Sequence, residues 1–559
     1  MNVYYLQSTK NDRAEEENYD VFLPEIFTLI GTSITTISES EISTLSSSDA
    51  LFIGGGDYSL CKDSLTNFCN KGGLLVAINS TGVEDLCNIN LGSKVRNQTE
   101  FSVNGHLVFN ESEYVDKKFL DYSLPVIDDI RVCSTKENVK ILAKSKEFGL
   151  PLITENVIGD GKAVYVAFSL TKTLWYKTQG RPVNEDLDGC GFLRMCDAII
   201  VDNTDDLKLP VVDFYLRFIE NLLYSHANFV FIHQLPADDK GVPYDYIMHF
   251  CGDEDWCGKD VFEANDELRK FDIPYHVHMQ PLNDGTFKLS KEDFIKAKEQ
   301  GVQFGLHFDF MTNGLLRYDY DALKKQLGYY LTAYGEMPVV SNTHCFIYNG
   351  FGETLHWFDD LGINGFMSYH CQKVNHTNLN EMNMYGFSFG TSYPTHTYLG
   401  KANGNKKSGA VGMRVGFYEP RVHKKADEKQ IEKYIDLLKE YSLIGNIFIH
   451  PLWFVCDKKP TVKAVEKIVS YAKKDACGYF YTIDVANWWA DRCSSTITPI
   501  GNDKYNADFK AQCSIKVPQN AVCYVDGKQI LAHEKIIANK KCTLFTIPKG
   551  EHVVELKYL

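Results

Sequence analysis

No long run of lysine or arginine occurs in the 559 residues, and acids outnumber bases, 73 against 58, for a formal net charge of −15. An acidic chain repels phosphate backbones, so no nucleic-acid partner is expected. No stretch approaches the roughly 18 uninterrupted apolar residues that a membrane-crossing helix needs. The opening residues, MNVYYLQSTKNDRAEEENYD, lack a basic segment followed by an apolar one. The chain as it stands is therefore expected in the cytoplasm, and outside the cell only if it is a trimmed mature product. Sixteen cysteines are present, none in a C-x-x-C pair, and they read as reduced core or surface thiols. The sequons at Asn79, Asn97, Asn110 and Asn375 matter only for a secreted chain.

What is present is ordinary for a soluble globular protein: 44% hydrophobic and 23% charged residues. Aromatics reach 13%, which suits sugar clefts and large cores alike. The length exceeds what one hydrophobic core organises, so about two to four domains are expected. In the first, residues 1–225, short apolar runs at Val3–Leu6, Ile34–Ile37, Ala50–Ile53 and Leu74–Ile78 alternate with helical patterns. That alternation predicts a flavodoxin-like parallel α/β sheet covered on both faces. The pattern loosely resembles noncatalytic glutamine-amidotransferase-like domains. Where such an enzyme carries its cysteine, this chain reads Ala77-Ile78-Asn79-Ser80-Thr81-Gly82, so no activity is expected there. A homo-oligomer built through this domain is a further expectation.

Residues 226–495 repeat strand and helix at least six times, which predicts a (β/α) barrel with its chemistry at the carboxyl ends of the strands. From about Asp503 to residue 559, short alternating runs around Asp526-Gly527 and Pro548-Lys549-Gly550 predict a small β-sandwich accessory domain. Metal-competent residues fall where the barrel reading wants them. Asp253 and Asp255 follow the first strand, His307 ends the third, His344 follows the fourth, and His450 ends a later one. A mixed carboxylate and imidazole set with an open position suits zinc or a similar divalent cation.

The order of these residues resembles the polysaccharide deacetylases of the NodB type. The carrying segments are His249-Phe250-Cys251-Gly252-Asp253-Glu254-Asp255, Gly305-Leu306-His307 and Ile449-His450-Pro451. The resemblance implies Asp253 as general base, Asp255 and His307 as metal ligands, and His450 as the acid that protonates the leaving group. It departs in three places. Glu254 separates the paired aspartates, Met311 stands where a second ligand histidine is expected, and Ser341-Asn342-Thr343-His344 replaces an arginine–proline motif. Either His344 or Asp309 then completes the metal set. His396, in Thr391-Ser392-Tyr393-Pro394-Thr395-His396, reads as a loop residue lining the cleft.

The implied activity is metal-dependent hydrolysis of an N- or O-acetyl group on a carbohydrate. Two rivals follow from the same residues. One is a noncatalytic carbohydrate-binding or scaffold protein on a degenerate barrel. The other is a glycoside hydrolase, with Asp253 and Asp309 or Glu254 as its carboxylate pair.

Overall fold

The computed structural model describes residues 1–7, 18–312, 317–370, 385–420, 428–501 and 503–559. Asn375 lies outside them. Asn79 is only 2% exposed, so the folded chain does not offer it for glycosylation.

The first segment builds a nine-stranded sheet. Its leading half is parallel, in the order Ile34–Ile37, Val3–Leu6, Ala50–Ile53, Leu74–Ile78, Gly161–Val166. The remaining strands, Pro151–Ile158, Lys140–Ser145, Gly105–Phe109 and Leu124–Val126, are antiparallel, so the sheet is mixed rather than wholly parallel. The cause is local. Ile158 pairs with Gly161 across the two-residue turn Gly159-Asp160, with Gly159 at φ +56°, and a turn that short can only reverse the chain.

The central segment forms a ten-stranded sheet. Tyr246–Asp253, Tyr275–Met279, Val302–Phe308, Val340–Thr343, Gly365–Tyr369 and Lys407–Arg414 follow one another in parallel register. On its other side Tyr246–Asp253 pairs with Ile444–Phe448, which in turn holds Phe417–Tyr418. Cys477–Phe480 joins the lower half of the first strand, and Thr395–Tyr398 runs antiparallel at the far edge. Among the described residues the hydrogen-bonded ladder does not close into the expected barrel. The last strand of the parallel run, Lys407–Arg414, is followed after only Val415 and Gly416 by Phe417–Tyr418, the strand at the ladder's other end. Residues on these strands are buried on both faces, as helix-covered parallel strands require.

The tail packs a four-stranded sheet on a five-stranded one around Tyr505, Phe509, Ile515, Phe545 and Leu556. Phe231–Ile232 and Thr496–Gly501 join these sheets from outside residues 503–559. Two buried polar clusters tie the segments together. The Arg492 guanidinium, 2% exposed, donates to the carbonyls of Thr28, Leu29, Ile232 and His233 at 2.9–3.4 Å. Glu25, wholly buried, meets His396 Nδ1 at 3.0 Å and Lys407 Nζ at 3.0 Å. His396 is thus a buried residue of the strand Thr395–Tyr398 held against the first segment, not a loop residue of the cleft. The strand's register points its ring at an acid that the local sequence could not reveal.

Candidate active site

Parallel register places the carboxyl ends of neighbouring strands side by side. Asp253 ends its strand opposite His278, and His307 lies opposite Asn342. Close approach of the strands requires glycine at two positions. A Cβ on Gly252 would come within 2.0 Å of the Ile449 carbonyl, and one on Gly305 within 2.0 Å of the Val340 carbonyl. Beyond Asp253 the chain turns sharply, with Asp255 at φ +43° and Trp256 at φ +61°, a left-handed pair without glycine. Glu254, with no exposed surface, holds this turn by accepting from the backbone N–H groups of Trp256 and Gly258. Burial pushes its carboxyl up to about 7.

The turn brings Asp255 Oδ1 to 3.4 Å from His307 Nε2 and Asp255 Oδ2 to 3.3 Å from His450 Nε2. Asp253 Oδ2 lies 3.4 Å from His307 Nε2 and 3.8 Å from His450 Nε2. His344 completes the group: one ligand atom from each of Asp255, His307 and His344 falls within 4.8 Å of the others. Asp309 sits behind His344, accepting at 3.1 Å from its Nδ1. The same carboxylate is occupied by the N–H groups of Met311 and Thr312 and by the Thr312 hydroxyl. The five residues singled out in the sequence, Asp253, Asp255, His307, His344 and His450, therefore share one cluster.

Electrostatics follow from the crowding. Burial opposes the charge on Asp253, but His307 and His278 outweigh it and hold the acid below its ordinary range. Asp255 is likewise held well down by His307 and His450 against the cost of burial. Burial alone would depress His450, yet Glu419 and Asp255 raise it well above an ordinary histidine. Several buried polar atoms of the cluster have no hydrogen-bond partner within normal geometry, among them Asp255 Oδ1, His307 Nε2, His278 Nε2 and Glu419 Oε2. A neutral His307 with its lone pair at Nε2 would face the Asp255 oxygen lone pair to lone pair, an arrangement that is costly unless a cation lies between them. The donor set of one carboxylate and two imidazoles fits such an ion.

Four further side chains were not singled out in the sequence. Glu419 hydrogen-bonds His450 Nδ1, His278 Nδ1 contacts Asp253 Oδ1 at 3.0 Å, and Gln280 Nε2 lies 3.0 Å from His344 Nδ1. Asn342 donates to Asp253 Oδ1 at 2.7 Å and meets His307 Nδ1 at 2.6 Å. Only Glu419 had a sequence cue, an acid ending the apolar pair Phe417-Tyr418. Trp256 and Trp453, each half-buried, flank the cluster; the Trp256 ring lies 5.8 Å from that of His344.

No family model matches this chain, and no curated protein does. Solved structures share it weakly. A putative polysaccharide deacetylase from Mycobacterium smegmatis is 11% identical over 46% of this chain and 94% of its own, with a TM-score of 0.31. A beta-galactosidase from Bacillus circulans sp. alkalophilus is 13% identical over 31% of this chain, with a TM-score of 0.25. An exo-beta-1,4-mannosidase from Opitutaceae bacterium strain TAV5 is 12% identical over 31% of this chain, with a TM-score of 0.24. The chain spans 30% of the beta-galactosidase and 32% of the mannosidase. Likeness at this level carries no functional argument.

Proposed function

We propose that the chain is a metal-dependent hydrolase that removes acetyl groups from a carbohydrate, with a central segment built as an incomplete barrel of the NodB type. The observation that carries this reading is the pair of partnerless buried atoms, Asp255 Oδ1 and His307 Nε2, facing each other at 3.4 Å. Asp255, His307 and His344 would hold the ion, and two imidazoles with one carboxylate favour zinc. When bound, such an ion polarises an acyl carbonyl and acidifies water. Asp253 Oδ2 takes the proton from the attacking water. His450 Nε2, with Glu419 behind its other nitrogen, returns a proton to the departing nitrogen or oxygen. The water oxygen bonds to the acyl carbon, the bond from that carbon to the sugar nitrogen or oxygen breaks, and the products are acetate and the free amine or hydroxyl.

Asp309 supports the histidine assignment from behind: its oxygens are engaged by His344 and the following turn, which leaves His344 to face the ion. The glycoside hydrolase reading would draw its second carboxylate from Asp309 or Glu254, and both are committed to local hydrogen bonds. One assay separates the readings. With acetylated chito- and xylo-oligosaccharides, the zinc-loaded chain should release acetate, and Asp255→Ala and His307→Ala should release none. Release of reducing ends without acetate favours the glycosidase, and unchanged acetate release in either variant discards the scheme.

A further inference from the structure

We propose that Asn342 is a positioning residue that sets two atoms of this site at once: the Asp253 oxygen that takes the proton and the His307 nitrogen that faces the cation. The inference rests on the metal-dependent reading above and deepens it. Asn342 has no exposed surface and lies one strand away from His307, directly opposite it in register. An ionised carboxylate only accepts hydrogen bonds, so the amide NH2 of Asn342 has to face Asp253 Oδ1, 2.7 Å away. That choice turns the amide carbonyl toward His307 Nδ1 at 2.6 Å. A carbonyl only accepts, so Nδ1 must carry the hydrogen, and in the neutral imidazole that a metal ligand has to be, Nε2 is left with its lone pair. Nε2 is the nitrogen that lies 3.4 Å from both Asp255 Oδ1 and Asp253 Oδ2.

The same amide decides which oxygen of Asp253 works. Oδ1 already receives Asn342 and His278, at 2.7 and 3.0 Å. Oδ2 remains, directed at the imidazoles of His307 and His450. The opposite amide orientation would set a carbonyl against a carboxylate, so the arrangement has one consistent form. A single uncharged side chain thereby couples the tautomer of a ligand to the geometry of the base.

Two variants separate the two arms. Asn342→Asp, nearly isosteric, keeps an acceptor for His307 Nδ1 and loses the donor to Asp253. Asn342→Leu loses both. Zinc affinity would be read by competition with a chromogenic chelator, and kcat and KM from acetate release. Loss of a partner behind a ligand typically costs about 10–100-fold in metal affinity. That loss is expected in Asn342→Leu, whereas Asn342→Asp should bind zinc at least as well as wild type. In both variants kcat should fall by roughly tenfold or more with KM little changed. If the leucine variant does not fold, zinc binding retained together with lost kcat in the aspartate variant carries the test. Unchanged zinc affinity in folded Asn342→Leu, or full kcat in Asn342→Asp, overturns the proposal and leaves the metal-dependent reading intact. A wild-type chain that takes up no zinc overturns both.

Discussion

Replacing Glu25 by glutamine removes a charge from the junction between the first segment and the central one while keeping the side chain's shape. Burial drives this acid toward its neutral form, but His396 and Lys407 more than offset that and hold it down to about 2, against an ordinary 4.5. A gap of that size corresponds to about 3 kcal/mol of folding stability. The figure agrees with the roughly 3–5 kcal/mol lost when one partner of a buried ion pair is removed. The sign is fixed by the direction of the shift. A carboxyl depressed on folding stabilises the folded chain above its unfolded value near 4.5, and that contribution is lost as pH falls toward 2. Glutamine mimics the protonated acid, so the stability difference between wild type and Glu25→Gln should be largest at neutral pH and shrink below about pH 4.5. The assay is denaturant unfolding of both chains across pH 3–8. Taking the difference removes the contribution of the other acids among the 73, which both chains share. Arg414 also feels this charge and is present in both. A difference that stays constant with pH, or one below about 1 kcal/mol at pH 7, would refute the reasoning.

Two further outcomes concern the site. Asp253→Asn should keep zinc uptake, measured by metal analysis, while acetate release falls about 10²–10⁴-fold; lost uptake would mean that Asp253 is a ligand rather than a base. Free zinc at 100 times its dissociation constant should stabilise the folded chain by about 2.7 kcal/mol over the chelated one, and denaturant curves that coincide with and without chelator would show that no ion binds the folded state.

Much of the site could be read from residue order because parallel sheets collect their chemistry at one edge. Asp253, Asp255, His307, His344 and His450 stand at or just past strand ends, and strand ends are visible as apolar runs stopping at polar residues. Asn342, His278 and Gln280 were not legible, since their roles depend on which residue sits across the ladder, and register is set by tertiary packing. His276 and His278 alternate on Tyr275–Met279 like core residues, and nothing local marks the second as a neighbour of Asp253. The choice between His344 and Asp309 stays open in the sequence for the same reason: 35 positions separate them, and only the folded chain brings one behind the other. In the first segment the parallel strands were legible from their apolar runs. The antiparallel half was not, although the Gly159-Asp160-Gly161 turn already required one reversal.

The four carbonyl contacts of Arg492 bear on how the molecule can be taken apart. Its donors reach Thr28 and Leu29 near the beginning of the chain and Ile232 and His233 near the middle. Cutting out residues 226–495 as a portable catalytic unit would strip this guanidinium of two acceptors and open its burial site to water. An inactive fragment would then report a broken seam, and only the intact polypeptide gives a fair trial of the chemistry.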